Sequence, residues 1–427
     1  MVCDFESRSS VDIGKCGSYR YIHSPDFKPL LLAYAFDDEP VKLVDFAQGE
    51  TWPDDFLAAL NDPDITCIAH NTSFEREVIH RELGYTPPER WLDTMILAAA
   101  CGLPMSLGAV GHALGLPEDQ AKMKEGAALI RFFCIPRRTT ETNPRKWNEP
   151  SDAPDKWSTF RDYCIRDVET ERTVYKLLRR WTPDEREHKL FCLDARINEH
   201  GVRIDRQLAE RAVAMDERYK AELTERAVAI TGLDNPKSVS QIKTWLADQE
   251  GKEFPSLNKK VIAEVVSQLQ TDEAREFMAL RSELAKSSTA KYAAMLRGMA
   301  DDDHARGCFQ FYGTSTGRWA GRRIQFQNLS KNKCTGEMLD GMRGLVRDGH
   351  YTALKAIFEG VADCLSQLVR TAIIPEEGHK ILVADFSAIE ARVTAWLAGE
   401  EWALTAFREG KDIYCETASQ MFHVPVE

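Results

Sequence analysis

None of the eleven cysteines stands in a CxxC pair, and the chain opens on MVCDFE, acidic within four residues. A secretory leader needs a basic start and an apolar core, so the scattered thiols read as those of a reduced cytosolic protein. No run is apolar enough to suggest a membrane span. Thr94 to Pro117 carries no charge apart from His112, yet Pro104, the glycines and the many alanines read as two short packed helices. There is no internal repeat. Positive charge is in deficit, 55 Lys and Arg against 67 Asp and Glu, for a formal charge of −12. Alone this argues against a general nucleic-acid binder, but local charge outweighs the sum. At 427 residues, two or three domains are expected.

The first 180 residues alternate strand and helix signals. MVCDFES reads as a strand, Leu30 to Phe36 and Val41 to Phe46 as a hairpin, Thr66 to Ala69 as another strand, and Ser73 to Leu83 as a helix. Thr139 to Asp155 reads as an exposed loop. A helix pattern follows from about Lys156 to Arg180.

Three carboxylate sites carry the chemistry here. Asp4 and Glu6 are two apart on a strand and project from one face, which suits either a cation between them or an exposed polar face. HNTSFERE sets Asn71, Phe74 and Glu75 at a strand-to-helix junction. YCIRD sets Tyr163 and Asp167 four apart on a helix. Asp167 has Arg166, Glu169, Glu171 and Arg172 nearby, which also fits a solvated, salt-bridged face.

Taken together, the DxE strand, the Asn-x-x-Phe-acid junction and the YxxxD helix resemble the three motifs of proofreading 3′-to-5′ exonuclease domains, which have an RNase H-like fold. The resemblance covers about residues 1–180. It implies that Asp4, Glu6 and Asp167 bind two divalent metals, Mg²⁺ or Mn²⁺, and that Tyr163 orients the attacking water. The middle motif usually ends in Asp; Glu75 keeps the charge on a longer arm, which changes the metal geometry. Asp93, in WLDTM, reads as structural.

Beyond Arg180 the pattern is nearly all helix. Pro183 to His200 closes at Gly201, Val202 to Asp205 reads as a short strand, and helices are expected over Arg206–Ile230, Ser238–Gln249 and Asp272 to about Met299. In the last, LAKSSTAKY gathers Lys286, Ser287, Ser288, Thr289, Lys291 and Tyr292, groups that can hold phosphate oxygens or form a solvated face. From His304 to Gly336 there is no carboxylate, while Arg306, Arg318, Arg322, Arg323, Lys331 and Lys333 supply positive charge. Arg318, Gln327 and Asn328 can donate to minor-groove acceptors; a basic hairpin kept for solubility is the alternative.

The opening of the last part is KILVADFSAIEARVTAW, residues 380–396. Ile381 to Ala384 reads as a buried strand ending at Asp385. Ser387 and Glu390 have capping-box spacing, with Ile389, Val393, Trp396 and Leu397 on the apolar side of the helix that follows. With TGRW, QNL and SQLVRTAIIPEEGHK, this stretch resembles family A DNA polymerases of the phage type, from about Ile197 onward. The resemblance implies that Asp385 binds both catalytic metals with help from the Phe386 carbonyl. Glu390 would lie under the incoming sugar, supported by Arg392. Arg318 would touch the primer terminus, and Gln327 and Asn328 the template duplex; Lys286, Ser287, Thr289 and Lys291 are DNA-binding candidates on their chemistry alone.

The family's later elements, a lysine-bearing fingers helix and an HDE turn, do not occur in these residues, and Asp412 follows Asp385 too closely to replace the missing ligand. The expected architecture is an α/β RNase H-like exonuclease domain over 1–182, then a polymerase portion over 183–427. That portion divides into an α-helical thumb, about 183–303, and an incomplete α+β palm, about 304–427, with exposed apolar surface near Ile381 to Ala384. The expected function is the N-terminal portion of a DNA-directed DNA polymerase of replication with two-metal proofreading. It would act on primer-template and single-stranded 3′ ends, take deoxynucleoside triphosphates only in a complete enzyme, and not polymerise alone. An inactive DNA-binding remnant, or one subunit of a split polymerase completed by a second polypeptide, is the alternative.

Overall fold

The computed structural model describes residues 1–117, 125–141, 144–258, 261–286, 289–358 and 360–425. These fall into two compact units, Met1–Ile374 and Pro375–Glu427.

The first unit begins with five strands: β1 (Val2–Arg8), β2 (Lys28–Ala35), β3 (Lys42–Asp45), β4 (Cys67–Ala69) and β5 (Trp91–Asp93). Their order is β3-β2-β1-β4-β5. The β1–β2 and β2–β3 pairs are antiparallel, while β1–β4 and β4–β5 are parallel. Side chains alternate across a strand, and β1 divides them accordingly. Cys3 and Phe5 join Leu32, Tyr34, Phe56, Val78 and Trp91 in one core. Val2 points the other way, into a core with Leu31, Ala33, Phe133, Trp157, Phe160 and Tyr163. Asp4 and Glu6 share the parity of Val2, so β1 presents both acids on that second face.

Four helices position the site: α1 (Ser73–Leu83), α2 (Thr94–Ala100), α3 (Gly126–Phe133) and α4 (Pro154–Leu178). The long α4 buries Trp157, Phe160, Tyr163, Cys164, Asp167, Val168, Glu171, Val174 and Leu178. Their three- and four-residue spacing makes one stripe, and its apolar members hold α4 against the sheet.

Helix α5 (Glu185–His200) leads to a second core. There α6 (Arg206–Thr231) packs with α7 (Asp272–Leu284), α8 (Ala290–Gly298), α9 (Glu337–Arg347) and α10 (Val361–Leu368). Leu208, Ala212, Tyr292, Met295, Ile324, Leu365 and Leu368 fill it. Asp205 caps α6 by accepting from the Leu208 N–H at 3.0 Å, and its other oxygen takes Arg347 Nε at 3.1 Å and Arg343. Two small antiparallel pairs complete the unit: β6 (Val202–Arg203) with β7 (His304–Ala305), and β8 (Phe309–Gln310) with β9 (Ala320–Gly321). The single helix expected from Asp272 to Met299 is two, α7 and α8. α7 stops at Leu284, where Ala285 N–H bonds back to Arg281 and Glu283.

The second unit contains α11 (Ile389–Ala398), α12 (Glu401–Arg408) and α13 (Ile413–Phe422). The strand expected at Ile381–Ala384 is absent: 379–386 is irregular and exposed. Leu382 is 82% and Val383 89% accessible. A strand needs paired neighbours to satisfy its backbone, and none lies beside this segment among the described residues. The expected capping box is not formed either. Ala388, at φ 51°, precedes α11 with no side-chain cap, and Ile389, Val393, Trp396 and Leu397 are exposed rather than buried. Among the described residues no helix is long and apolar enough to cross a membrane.

Candidate active site

The acids at the amino-terminal sheet converge. One carboxylate oxygen from each of Asp4, Glu6 and Asp167 lies within 4.8 Å of the others. Asp4 sits opposite Ala33 and Glu6 opposite Leu31, with the β1–β2 register breaking just after Glu6. Asp167 comes from the buried stripe of α4, one turn beyond Tyr163. The solvated, salt-bridged face that its charged neighbours allowed is therefore not what forms: Asp167 and Glu171 are 3% and 1% accessible.

Glu75 enters from the first turn of α1 and is 3% accessible. Its Oε2 is buried without a hydrogen-bond partner among the described residues. Burial, then the charge of Asp4, pushes its carboxyl well above the ordinary carboxylate range. The β4–α1 junction that aims it is fixed by Asp93. This acid caps α2 through Met95 N–H at 2.9 Å and accepts Asn71 N–H and Thr72 N–H, both at 3.0 Å. Asn71 adopts φ 78°, a left-handed turn that asparagine tolerates better than most residues.

Converging carboxylates repel unless a cation lies between them, and Glu75 adds a buried oxygen that the protein leaves unsatisfied. Hard oxygen donors in this number fit a divalent ion such as Mg²⁺ or Mn²⁺. Tyr163 is buried beside them. Burial, then the charge of Glu6, drives its phenol pKa upward, so the hydroxyl keeps its proton at working pH and can donate.

Two residues not foreseen as site residues also shape this pocket. Gly126 lies so close to Tyr163 that a Cβ there would come within 2.1 Å of the ring's Cε2. Gly126→Ala should displace the ring and cost about 1–3 kcal/mol of stability, as overpacking does; a lower thermal unfolding midpoint checks this. Glu171 is the second. It stands one turn beyond Asp167, and burial followed by the charges of Asp4 and Glu75 pushes its carboxyl upward. The helical spacing Tyr163, Asp167, Glu171 was the signal that could have found it.

The other expected residues lie elsewhere. Lys286 is paired with Glu283 at 2.6 Å and Asp363 at 2.7 Å. Thr289 is buried, and Lys291 Nζ donates to the Ile324 carbonyl at 2.8 Å. Ser287 and Ser288 fall outside the described residues. Arg318, Gln327 and Asn328 are exposed around the β8–β9 pair. Not all of the cations in this carboxylate-free stretch are available: Arg306 bonds Asp302 at 2.9 Å and Arg323 donates to the Gly307 carbonyl. In the second unit Asp385, Phe386 and Glu390 are exposed, and Arg392 Nε donates to the Ser387 carbonyl at 2.8 Å.

A sheet-and-helix unit bearing an acidic centre, joined to a mainly helical portion, has the fold of a polymerase domain. The structure overlays on the POL domain of Pol1 from M. smegmatis, solved with DNA primer-template and dNTP, at a TM-score of 0.54 and 17% identity, covering 94% of this chain and 62% of that one. Residues 206–427 match DNA polymerase family A, and the chain belongs to that family. It is 47% identical to the DNA polymerase of Bacillus phage SP02 over 99% of this chain and 65% of the phage protein. A shorter stretch of 63 residues, 15% of this chain and 8% of the other, is 51% identical to the thermostable DNA polymerase I of Thermus aquaticus. The chain thus spans less than two thirds of the phage relative.

Proposed function

We propose that residues 1–182 are a two-metal 3′-to-5′ exonuclease of RNase H-like fold, and that the remainder is the thumb and opening palm of a replicative DNA-directed DNA polymerase. The convergence of Asp4, Glu6 and Asp167 beside the orphaned Glu75 oxygen carries this reading. Asp4, Glu6 and Asp167 would hold two Mg²⁺ or Mn²⁺ ions, with Glu75 completing the donor set. Such ions activate water and stabilise a leaving 3′ oxygen. Tyr163, protonated and projecting from α4 against Gly126, would orient the attacking water by donating one hydrogen bond. Arg318, Gln327 and Asn328 would face duplex DNA, while Lys286, Thr289 and Lys291 are engaged within the protein. Asp385, Phe386, Glu390 and Arg392 would form one half of the nucleotide-addition site.

The exposed Leu382, Val383 and Phe386 favour a second reading compatible with the first: palm strands from a further polypeptide segment, in the same or another chain, cover them. Residues 1–427 alone should then release nucleotides from a 3′-labelled single strand in Mg²⁺ or Mn²⁺ and leave a primer-template with triphosphates unextended. Extension by this chain would overturn the reading of an incomplete palm; absence of release would leave a DNA-binding module.

A further inference from the structure

The β8–β9 hairpin has two residues in each strand, too few for a ribbon to hold its own pose. Its loop is tied internally: the Gly317 N–H bonds the Thr314 carbonyl at 3.0 Å, and the Arg318 N–H bonds Thr314 Oγ1 at 3.1 Å. The hairpin is therefore a small stiff piece whose direction is set by what it leans on, and it leans on α5.

Two side chains one turn apart on α5 make the contact. Asn198 Oδ1 accepts the Phe309 N–H at 3.0 Å, and its Nδ2 donates to the Phe309 carbonyl at 3.2 Å. One amide thus pairs both backbone groups on the outer edge of β8, where a further strand would otherwise lie. An N–H and a carbonyl have fixed polarity, so the amide has only one orientation that satisfies both. The same Nδ2 lies 3.1 Å from Asp194 Oδ2. Asp194 Oδ1 accepts the indole N–H of Trp319, the residue before β9, at 2.8 Å. The Trp319 ring also rests on Phe311, with centroids 4.8 Å apart. The approach to β8 is held by the open end of α5, where the Asn198 and Glu199 carbonyls accept the Gly307 N–H at 3.2 Å and Arg306 Nε at 2.7 Å. α5 is itself fixed to the amino-terminal elements. Leu190 and Phe191 pack with Met95 and Ile96 of α2, and Glu199 pairs with Arg76 of α1 at 2.6 Å.

We propose that Asp194 and Asn198 are positioning residues for duplex DNA: anchored through α5 to the amino-terminal sheet and its helices, they clamp the β8–β9 hairpin in the pose that presents Arg318 to the primer terminus. Arg318 precedes Trp319 in the chain, so the side chain that Asp194 holds is next to the one that meets DNA. Without the clamp the hairpin keeps its own turn but loses its direction. This deepens the duplex-facing reading of the hairpin and rests on it.

The test measures the affinity of residues 1–427 for a fluorescent primer-template by anisotropy, in EDTA and at one fixed salt concentration, since salt alone shifts such affinities. The proteins are wild type, Arg318→Ala, Asp194→Ala, Asn198→Asp and Arg318→Ala combined with Asp194→Ala. Arg318→Ala should weaken binding about tenfold. Asp194→Ala and Asn198→Asp should each weaken it about fivefold, the second because an isosteric carboxylate sets an oxygen against the Phe309 carbonyl. In the Asp194→Ala background, Arg318→Ala should cost less than about threefold, because the arginine is already misplaced. A residue that only stabilised the fold would lower the thermal midpoint and leave the Arg318 effect unchanged. An equal Arg318 effect in both backgrounds, or wild-type affinity in Asp194→Ala and Asn198→Asp, overturns the proposal and leaves the duplex-facing reading intact. That reading fails separately, and the proposal with it, if Arg318→Ala binds as wild type does. Should Asp194→Ala not fold, Trp319→Phe takes its place, keeping a ring against Phe311 and removing only the indole N–H. A diminished Arg318 effect in that background supports the proposal, and an unchanged one overturns it.

Discussion

Asp4→Ala should reduce nucleotide release from a 3′-labelled single strand by about three orders of magnitude, equivalent to about 4 kcal/mol of transition-state stabilisation. Asp4 is the common neighbour of the centre: it is one of three acids with oxygens inside 4.8 Å, and its charge reaches both Glu75 and Glu171. Removing it takes away a proposed cation ligand and the charge that the remaining acids oppose. The cation-free variant should therefore unfold at the same temperature as wild type or higher, since one source of repulsion is gone. Loss of activity with retained or raised stability separates a functional acid from a structural one. A variant that is both inactive and strongly destabilised would mean that Asp4 holds the sheet together instead.

Raising the pH in EDTA should destabilise the wild type, against the usual behaviour of paired surface acids. Glu75 and Glu171 both have folded pKa values above the ordinary 4.5, and burial lifts Asp194 from 3.8 to about 6. An acid whose pKa is raised by folding costs nothing at low pH. Stability is lost as pH rises from its unfolded value through its folded one, at about 1.4 kcal/mol per pH unit for each group titrating. Asp302 runs the other way: Arg306 holds it down at about 2, so its stabilisation disappears only as the pH falls below about 4. Above about pH 5 the raised acids should dominate, and denaturant midpoints in EDTA should decline as the pH rises. Glu75→Gln should flatten the decline, and millimolar Mn²⁺ should reverse it in wild type but not in Asp4→Ala. A flat wild-type profile would mean that these carboxyls are solvated.

The amino-terminal sheet was legible in the sequence because its signals are local. Alternation in MVCDFES, the hairpin turn between β2 and β3, and the span Ser73–Leu83 each need only neighbouring residues. The acidic centre was legible for the same reason, as each motif sits at a strand end or on one helix turn. Glu171 escaped because charged neighbours on α4 masked its place in the buried stripe. Lys286 looked like a phosphate ligand because Asp363, which pairs with it, lies 77 residues away. At Ile381–Ala384 the apolar run suggested a strand that does not form, while the exposed apolar surface expected there does, because burial is a property of what packs against a segment. Without a partner the same residues are irregular and exposed.

The most direct test is a crystal of residues 1–427 soaked in millimolar Mn²⁺ and measured for anomalous scattering. One or two ions should lie about 2.1 Å from carboxylate oxygens of Asp4, Glu6 and Asp167, the distance expected of a small hard cation. Well-ordered density for these three side chains with no Mn²⁺ among them would contradict the proposed two-metal centre.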